Sequence, residues 1–361
     1  MRAVVKIGTS SITNALGELD DVAVSKLCAE LVGARAAGHS VTLVCSGAIA
    51  AGMPALGLTK RPADIGTLQA IAAVGQPRLM ARLSEQLAQA DAVAGQVLLT
   101  PYDFLHRAQY VHARETFARL LDLGVVPVVN ENDTVADDEI RFGDNDRIAA
   151  LVANMIRADV LVLLTDTPGL FTADPRLDAS ASLIEEITEV DAALDAAVGG
   201  AGSARGSGGM ATKLAAARIA AWSGVRSVIA AAETPGVVAA AISGEAVGTV
   251  VQPRPERLPS RKLWIAFAVG AVGRVVVDAG AQRALLTDGR SLLAAGVREV
   301  DGAFEQEAAV EVVGPDGEVF AKGLTAMDAD TLRAAAGKRT SELPAGVPAE
   351  VIHRDDLVVL R

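Results

Sequence analysis

The chain has 361 residues, 51% apolar and 21% charged, with a formal net charge of −11. That length is more than one ordinary domain needs and suits two, and the composition sustains a buried core without disulfides. The acidity weighs against phosphate polymers as partners, the two cysteines, in no CxxC or CxxH spacing, against a disulfide framework or zinc site, and the lack of any apolar stretch near roughly 20 residues against a membrane span.

Residues 3–7 open a series of short apolar runs rich in β-branched side chains, continued at 41–44, 97–99, 125–129, 160–164 and 227–230. Alanine- and leucine-rich segments with helical spacing, such as 22–37 and 77–90, lie between them. Runs without polar alternation suit strands covered on both faces, so the pattern predicts an α/β fold with a mainly parallel central sheet sandwiched by helices. No basic segment followed by a long apolar one opens the sequence. No secretory signal is therefore expected, and the cysteine usage agrees with a cytoplasmic location. Pro253, Pro255 and Pro259 stand among charges without periodicity, which reads as a linker. Beyond it, short alternating segments at 274–277, 309–313 and 351–352, bounded by Gly, Pro and Asp, predict a small β-rich domain. The expected organisation is a catalytic domain over 1–252, a linker over 253–259 and a second domain over 260–361. From residue 259 onward there are 12 basic against 15 acidic side chains, and before it 21 against 29.

Ligands of open α/β sheets sit beyond the carboxyl ends of the strands, so the residues just after each apolar run carry the information. The first run ends in Lys6-Ile7-Gly8-Thr9-Ser10. Gly8 lets backbone approach a phosphate, and Lys6 places a compact charge inside an apolar run, although an edge-strand lysine snorkelling outward would look the same. The second ends in Ser46-Gly47-Ala48 before a helix-like stretch. This is a helix N-terminus suited to a carboxylate or phosphate, or simply a serine N-cap. The fourth opens into Asn130-Glu131-Asn132-Asp133, with Gly143-Asp144-Asn145-Asp146 following. These amide and carboxylate clusters can hold an ammonium group or orient lysines, and they lack the spacing of an EF-hand loop. The fifth ends in Thr165-Asp166, positioned to contact a nucleotide. Finally, a glycine-rich stretch over 199–209 leads through Met210-Ala211-Thr212 to Lys213 and a helical segment. Glycine loop, lysine and helix together suit a phosphate cradle, while the stretch matches neither GxxxxGK[ST] nor GxGxxG. His39, His106, His112 and His353 all lie outside these clusters. An acceptor that is already ionised, such as a carboxylate, needs no general base, which fits that scarcity.

In this order the motifs resemble the amino-acid kinase family, and within it the branch that phosphorylates the side-chain carboxylate of glutamate. The matching stretches include Val5-Lys6-Ile7-Gly8-Thr9-Ser10-Ser11, Ser46-Gly47-Ala48-Ile49-Ala50-Ala51-Gly52, Ala73-Val74-Gly75-Gln76, Val129-Asn130-Glu131-Asn132-Asp133 and Gly208-Gly209-Met210-Ala211-Thr212-Lys213. Beyond the linker, Arg261-Lys262-Leu263-Trp264-Ile265 and Asp278-Ala279-Gly280-Ala281 look like that branch's appended PUA domain.

The resemblance implies that Lys6 and Lys213 neutralise charge on the phosphates and the transferred group, with Asp146 orienting both. It implies that Ser46, Gly47, Ala48, Asp133 and Asn145 hold glutamate, Asp133 receiving its α-ammonium. Lys6, Gly8, Thr165, Asp166 and the stretch Ser207, Gly208, Gly209, Met210, Ala211, Thr212 and Lys213 would lie on ATP. It further implies Mg2+ entering with ATP through ligands left unassigned, glutamyl 5-phosphate as a product bound for proline synthesis, and proline as feedback inhibitor. A cytoplasmic homo-oligomer, dimer or tetramer, with possible product hand-over to glutamyl-phosphate reductase, completes the implied picture. PUA domains are best known for binding RNA, but the acidic balance of this one leads us to expect a regulatory or assembly role instead.

Overall fold

The computed structural model describes residues 1–14, 16–135, 145–173, 175, 178, 180–188, 209–267 and 269–360. The chain divides into two compact units, Met1–Arg257 and Leu258–Arg361. The prolines expected to form a linker span the point of division.

Among the described residues, the first unit is built on one sheet of eight strands in the order β3-β4-β2-β1-β5-β7-β8-β6. These are β1 (Arg2–Ile7), β2 (Ser40–Cys45), β3 (Ala94–Leu99), β4 (Val126–Glu131), β5 (Val160–Thr165), β6 (Glu186–Ile187), β7 (Arg226–Ala231) and β8 (Thr249–Val251). The six longer strands run parallel, and only the short pair β8 and β6 runs the other way, β8 pairing antiparallel with β7. Each of the six apolar runs read from the sequence falls on one of these longer strands, the fourth beginning one residue before β4. β4 and β5 are buried along their whole length, while β3, at the sheet edge, is partly exposed.

Side chains on a strand alternate between the two faces, and that alternation sorts the site. Ala3, Val5 and Ile7 of β1 pack into one core with Val126 and Val128 of β4, with Val24, Leu27 and Leu31 of helix α1 (Asp21–Ala36), and with Leu79, Leu83 and Leu87 of α3 (Ile65–Ala88). Lys6 therefore projects to the opposite face. There, after α4 (Pro101–Leu105) and α5 (Arg107–Asp122) in chain order, helices α6 (Asn145–Met155) and α7 (Met210–Trp222) lie against β1 and β7, respectively. The same alternation turns Asn130 of β4 toward α3. Asp20 begins α1, its carboxylate accepting from the backbone N–H of Val22 at 2.8 Å. The helical spacing read over 77–90 is the second half of α3, which continues through Pro77.

Between β2 and α3 lies the short helix α2 (Ala48–Gly52), which follows Gly47 at φ +113°. It packs on α3 backbone to backbone. A Cβ on Gly75 would fall 1.7 Å from the carbonyl oxygen of Ala48, and one on Gly52 would fall 2.2 Å from that of Ile71. Gly75→Ala must push α2 away and is expected to cost about 2–3 kcal/mol, as overpacking does. Gly33→Ala, on α1 with nothing within 4 Å, should be neutral or stabilising by up to about 1 kcal/mol. Urea denaturation of the two variants makes the comparison, and equal effects would mean that the α2–α3 contact carries no strain.

Cys28 and Cys45 are buried free thiols, pushed up by burial to about 11 and about 12, respectively, and so unreactive near neutrality. Among the described residues, no helix is long and apolar enough to cross a membrane. Among the described residues, the second unit carries a five-stranded sheet, its strands lying side by side in the order Val297–Gly302, Gly273–Val277, Ala309–Val313, Val319–Leu324 and Leu357–Val359, and a separate two-stranded pair. Its own core gathers Val310, Val312, Phe320, Leu332, Val351 and Ile352.

Candidate active site

Chain order sends β2, β4 and β3 to one side of β1, and β5 and β7 to the other. The carboxyl ends of β1 and β5 therefore flank a topological switch point, where an open sheet leaves a crevice for ligands. Lys6 stands one residue before the end of β1, and Thr165 is the last residue of β5.

Lys6 and Lys213 meet on one carboxylate. The Nζ of Lys6 lies 2.6 Å from Asp146 Oδ1, and that of Lys213 lies 3.3 Å from Asp146 Oδ2. Thr212 donates its hydroxyl to Asp146 Oδ2 at 2.8 Å. Lys6, Asp146 and Lys213 are 3%, 1% and 4% exposed, a concentration of buried charge that a structural role alone seldom warrants. Burial by itself would push the Asp146 carboxyl up, but Lys6 and Lys213, with hydrogen bonds from Lys6 and Thr212, hold it below the usual carboxylate range. Lys213 stands in the first turn of α7, whose N-cap is Gly209 without a capping side chain. The positive end of the helix thus opens on the same place. A Cβ on Gly8 would stand 3.7 Å from Lys6 Nζ, so glycine keeps the space beside that ammonium group open.

The residue before Asp146 faces another set of partners. Asn145 donates to Ser46 Oγ at 3.1 Å and to Asn130 Oδ1 at 3.0 Å, and its own Oδ1 accepts from the backbone N–H of Glu131 at 3.2 Å. Asn130 Oδ1 accepts from the same N–H at 2.9 Å, and Asn130 Nδ2 donates to Gln76 Oε1 at 2.7 Å. Adjacent residues at the start of α6 thus join a cationic half of the site to an amide-lined half. Asp133 follows β4 and is partly buried. Burial pushes its carboxyl up to about 6, against the opposing pull of Arg61.

Of the residues singled out from the sequence, Lys6, Asp146, Thr212 and Lys213 come together, as do Ser46 and Asn145. Thr165 bonds Asp166 at 3.1 Å at the neighbouring strand end. Ser207 and Gly208 lie outside the described residues. Gln76 was given no role in the sequence, and Asn130 only a place in a cluster. The available signals were a glutamine in an otherwise apolar helical stretch and an asparagine ending a buried strand. Among the described residues, no group of three His, Cys, Asp or Glu side chains could hold a metal ion.

The profile of the Amino acid kinase family matches residues 1–231, and that of the PUA domain matches residues 273–347. The chain is 47% identical to the glutamate 5-kinase of Burkholderia multivorans, over 99% of this chain and 98% of that protein. It is 45% identical to the glutamate 5-kinase of Moorella thermoacetica and 46% identical to that of Myxococcus xanthus, in each case over 99% of this chain and 96% of the relative.

Proposed function

The chain belongs to the amino acid kinase family, and from that membership we propose that it transfers the γ-phosphoryl group of ATP to the side-chain carboxylate of L-glutamate. The product is L-glutamyl 5-phosphate, whose onward use is proline synthesis. One observation carries the reading. Two buried lysines converge on Asp146, while the neighbouring Asn145 reaches Ser46, so a site for phosphoryl charge adjoins one for a polar acceptor.

In this reading a carboxylate oxygen of glutamate attacks the γ-phosphorus, and the bond to the bridging oxygen of ADP breaks. The acceptor is already ionised, so no proton has to be removed, and the catalytic work is positioning and charge neutralisation. Lys6 approaches from the strand and Lys213 from the helix, with Asp146 fixing both ammonium groups. Ser46, Asn145 and the main chain at Gly47 and Ala48 hold the glutamate. Gly8, Thr165, Asp166, and Ser207 through Lys213 line ATP. Magnesium binds through one or two carboxylates plus substrate phosphates, a mode that needs no protein cage and fits an ion carried in by ATP.

Asp133 is assigned the α-ammonium of glutamate, which gives the site a pH dependence. Only the ionised carboxylate pairs with that ammonium, so kcat/KM for glutamate should fall about tenfold per unit below pH 6, and Asp133→Asn should flatten this limb and raise the glutamate KM about 30-fold or more. A raised carboxyl also costs stability as pH climbs from 3.8 to about 6. Asp133→Asn should accordingly melt later than wild type at pH 7 and alike at pH 3.5. A change confined to the ATP dependence would contradict the assignment.

Hydroxylamine traps an acyl phosphate as it forms, and the decisive assay compares hydroxamate yield with glutamate, aspartate, acetylglutamate and carbamate in the presence of ATP. Turnover restricted to another acceptor would replace glutamate in this reading. We further propose inhibition by proline, assembly into a cytoplasmic dimer or tetramer, hand-over of product to glutamyl-phosphate reductase, and a regulatory or assembly role for the PUA domain. RNA binding is not proposed for that domain, given its acidic balance, and salt-sensitive RNA retention by the full-length protein would argue otherwise.

A further inference from the structure

The hydrogen bonds on the amide-lined side of the site have a direction, and they end on a residue with no assigned role. A backbone N–H can only donate, and that of Glu131 points at both Asn130 Oδ1 and Asn145 Oδ1, at 2.9 and 3.2 Å. Those contacts decide which end of each side-chain amide is oxygen. Asn130 must then turn its NH2 toward Gln76, whose Oε1 accepts at 2.7 Å. Asn145 must turn its NH2 toward Ser46 Oγ and Asn130 Oδ1. A hydroxyl oxygen that accepts from an amide keeps its own proton for another acceptor. Ser46 is left as a donor, which suits a carboxylate oxygen.

We propose that Gln76 is a positioning residue that holds this polarity once the backbone N–H of Glu131 has defined it. By offering an oxygen to Asn130, it holds the relay from Asn130 through Asn145 in the one orientation that leaves Ser46 donating to the bound amino acid. The inference rests on the assignment of Ser46 to glutamate. The support for Gln76 is itself rigid, because it follows Gly75, where α3 lies against the Ala48 carbonyl at the start of α2. Asn130 and Asn145, at 2% and 4% exposure, have little access to water that could replace a lost partner.

The test uses the full-length protein in the hydroxamate assay with glutamate and ATP. Gln76→Met keeps the volume and removes the strong acceptor, and should raise the glutamate KM about tenfold with the ATP KM within about twofold. Gln76→Lys sets a donor against the NH2 of Asn130 and should raise the glutamate KM about 100-fold, again without a matching change for ATP. Combining Gln76→Lys with Asn130→Asp restores the direction with no net charge added. The new carboxylate accepts from Glu131 N–H and Asn145 on one oxygen and from the new ammonium on the other. The double variant should recover to within about tenfold of the wild-type glutamate KM, whereas independent damage at two sites would make it worse than either single variant. The inference is overturned if Gln76→Met and Gln76→Lys raise the glutamate and ATP KM values alike, or if Asn130→Asp fails to improve Gln76→Lys. A wild type inactive toward glutamate would overturn the proposed function and this inference with it, while an active wild type whose variants depart from this order overturns the inference alone.

Discussion

Lys213→Met is expected to lower kcat about a thousandfold while leaving the KM for ATP within about fivefold, the pattern of a charge used mainly in the transition state. During transfer, negative charge spreads over the equatorial oxygens of the phosphoryl group. A preorganised ammonium at 4% exposure stabilises it far better than water would. Asp146 and the first turn of α7 fix Lys213, so little reorganisation is needed when that charge develops. Lys6→Met should behave similarly, and the double variant should fall little below the worse single one, because both lysines act on the same group. Arginine at 213 should recover only part of the rate, since its planar fork does not match a point contact beside a carboxylate already shared with Lys6. Single-turnover phosphoryl transfer, with circular dichroism to verify the fold, makes the measurement. A kcat within tenfold of wild type would remove Lys213 from the transition state.

Much of the architecture was legible because its physical cause is local. A strand covered on both faces must be apolar throughout, so the runs ending at Ile7, Val44 and Leu164 stand out, and a lysine at position 6 is conspicuous within the first of them. The loops after those runs are marked by glycine and hydroxyl side chains for an equally local reason: backbone has to come close to a ligand there. What stayed hidden depends on partners distant in sequence. The orientation of Asn145 follows from a backbone N–H on β4 and a hydroxyl after β2, and no spacing within α6 discloses either. The raised carboxyl of Asp133 needs knowledge of its burial. Helix α3 shows its helical spacing in the sequence from Pro77 onward, yet the helix is anchored upstream by the glycine contacts with α2 and runs through the proline. The reversed strand β8 has three residues, too few for any pattern to give its direction.

Asp146→Asn should remove both stability and activity, and the pH dependence of the first loss identifies its cause. The side chain keeps its shape, so packing is preserved, while the carboxylate shared by Lys6 and Lys213 is gone. Breaking a buried ion pair from one side typically costs about 3–5 kcal/mol, and kcat should fall about a hundredfold or more as the two ammonium groups lose their common anchor. In the wild type the Asp146 carboxyl is held below its ordinary value of 3.8. A depressed carboxyl contributes stability that is fully present above the unfolded value and is lost as pH falls through the folded one. The deficit of the asparagine variant in urea should therefore be full at pH 7 and should shrink only below about pH 4, where the carboxyl of the unfolded wild-type chain begins to take up its proton. Adding Lys213→Met to Asp146→Asn removes one of the two ammonium groups the missing carboxylate served. The double variant should regain part of the stability lost at pH 7 while remaining inactive, so that the second substitution restores one property without the other. If the deficit is the same at pH 3.5 and pH 7, or if the second substitution only adds to it, the carboxylate is not what holds the two lysines together.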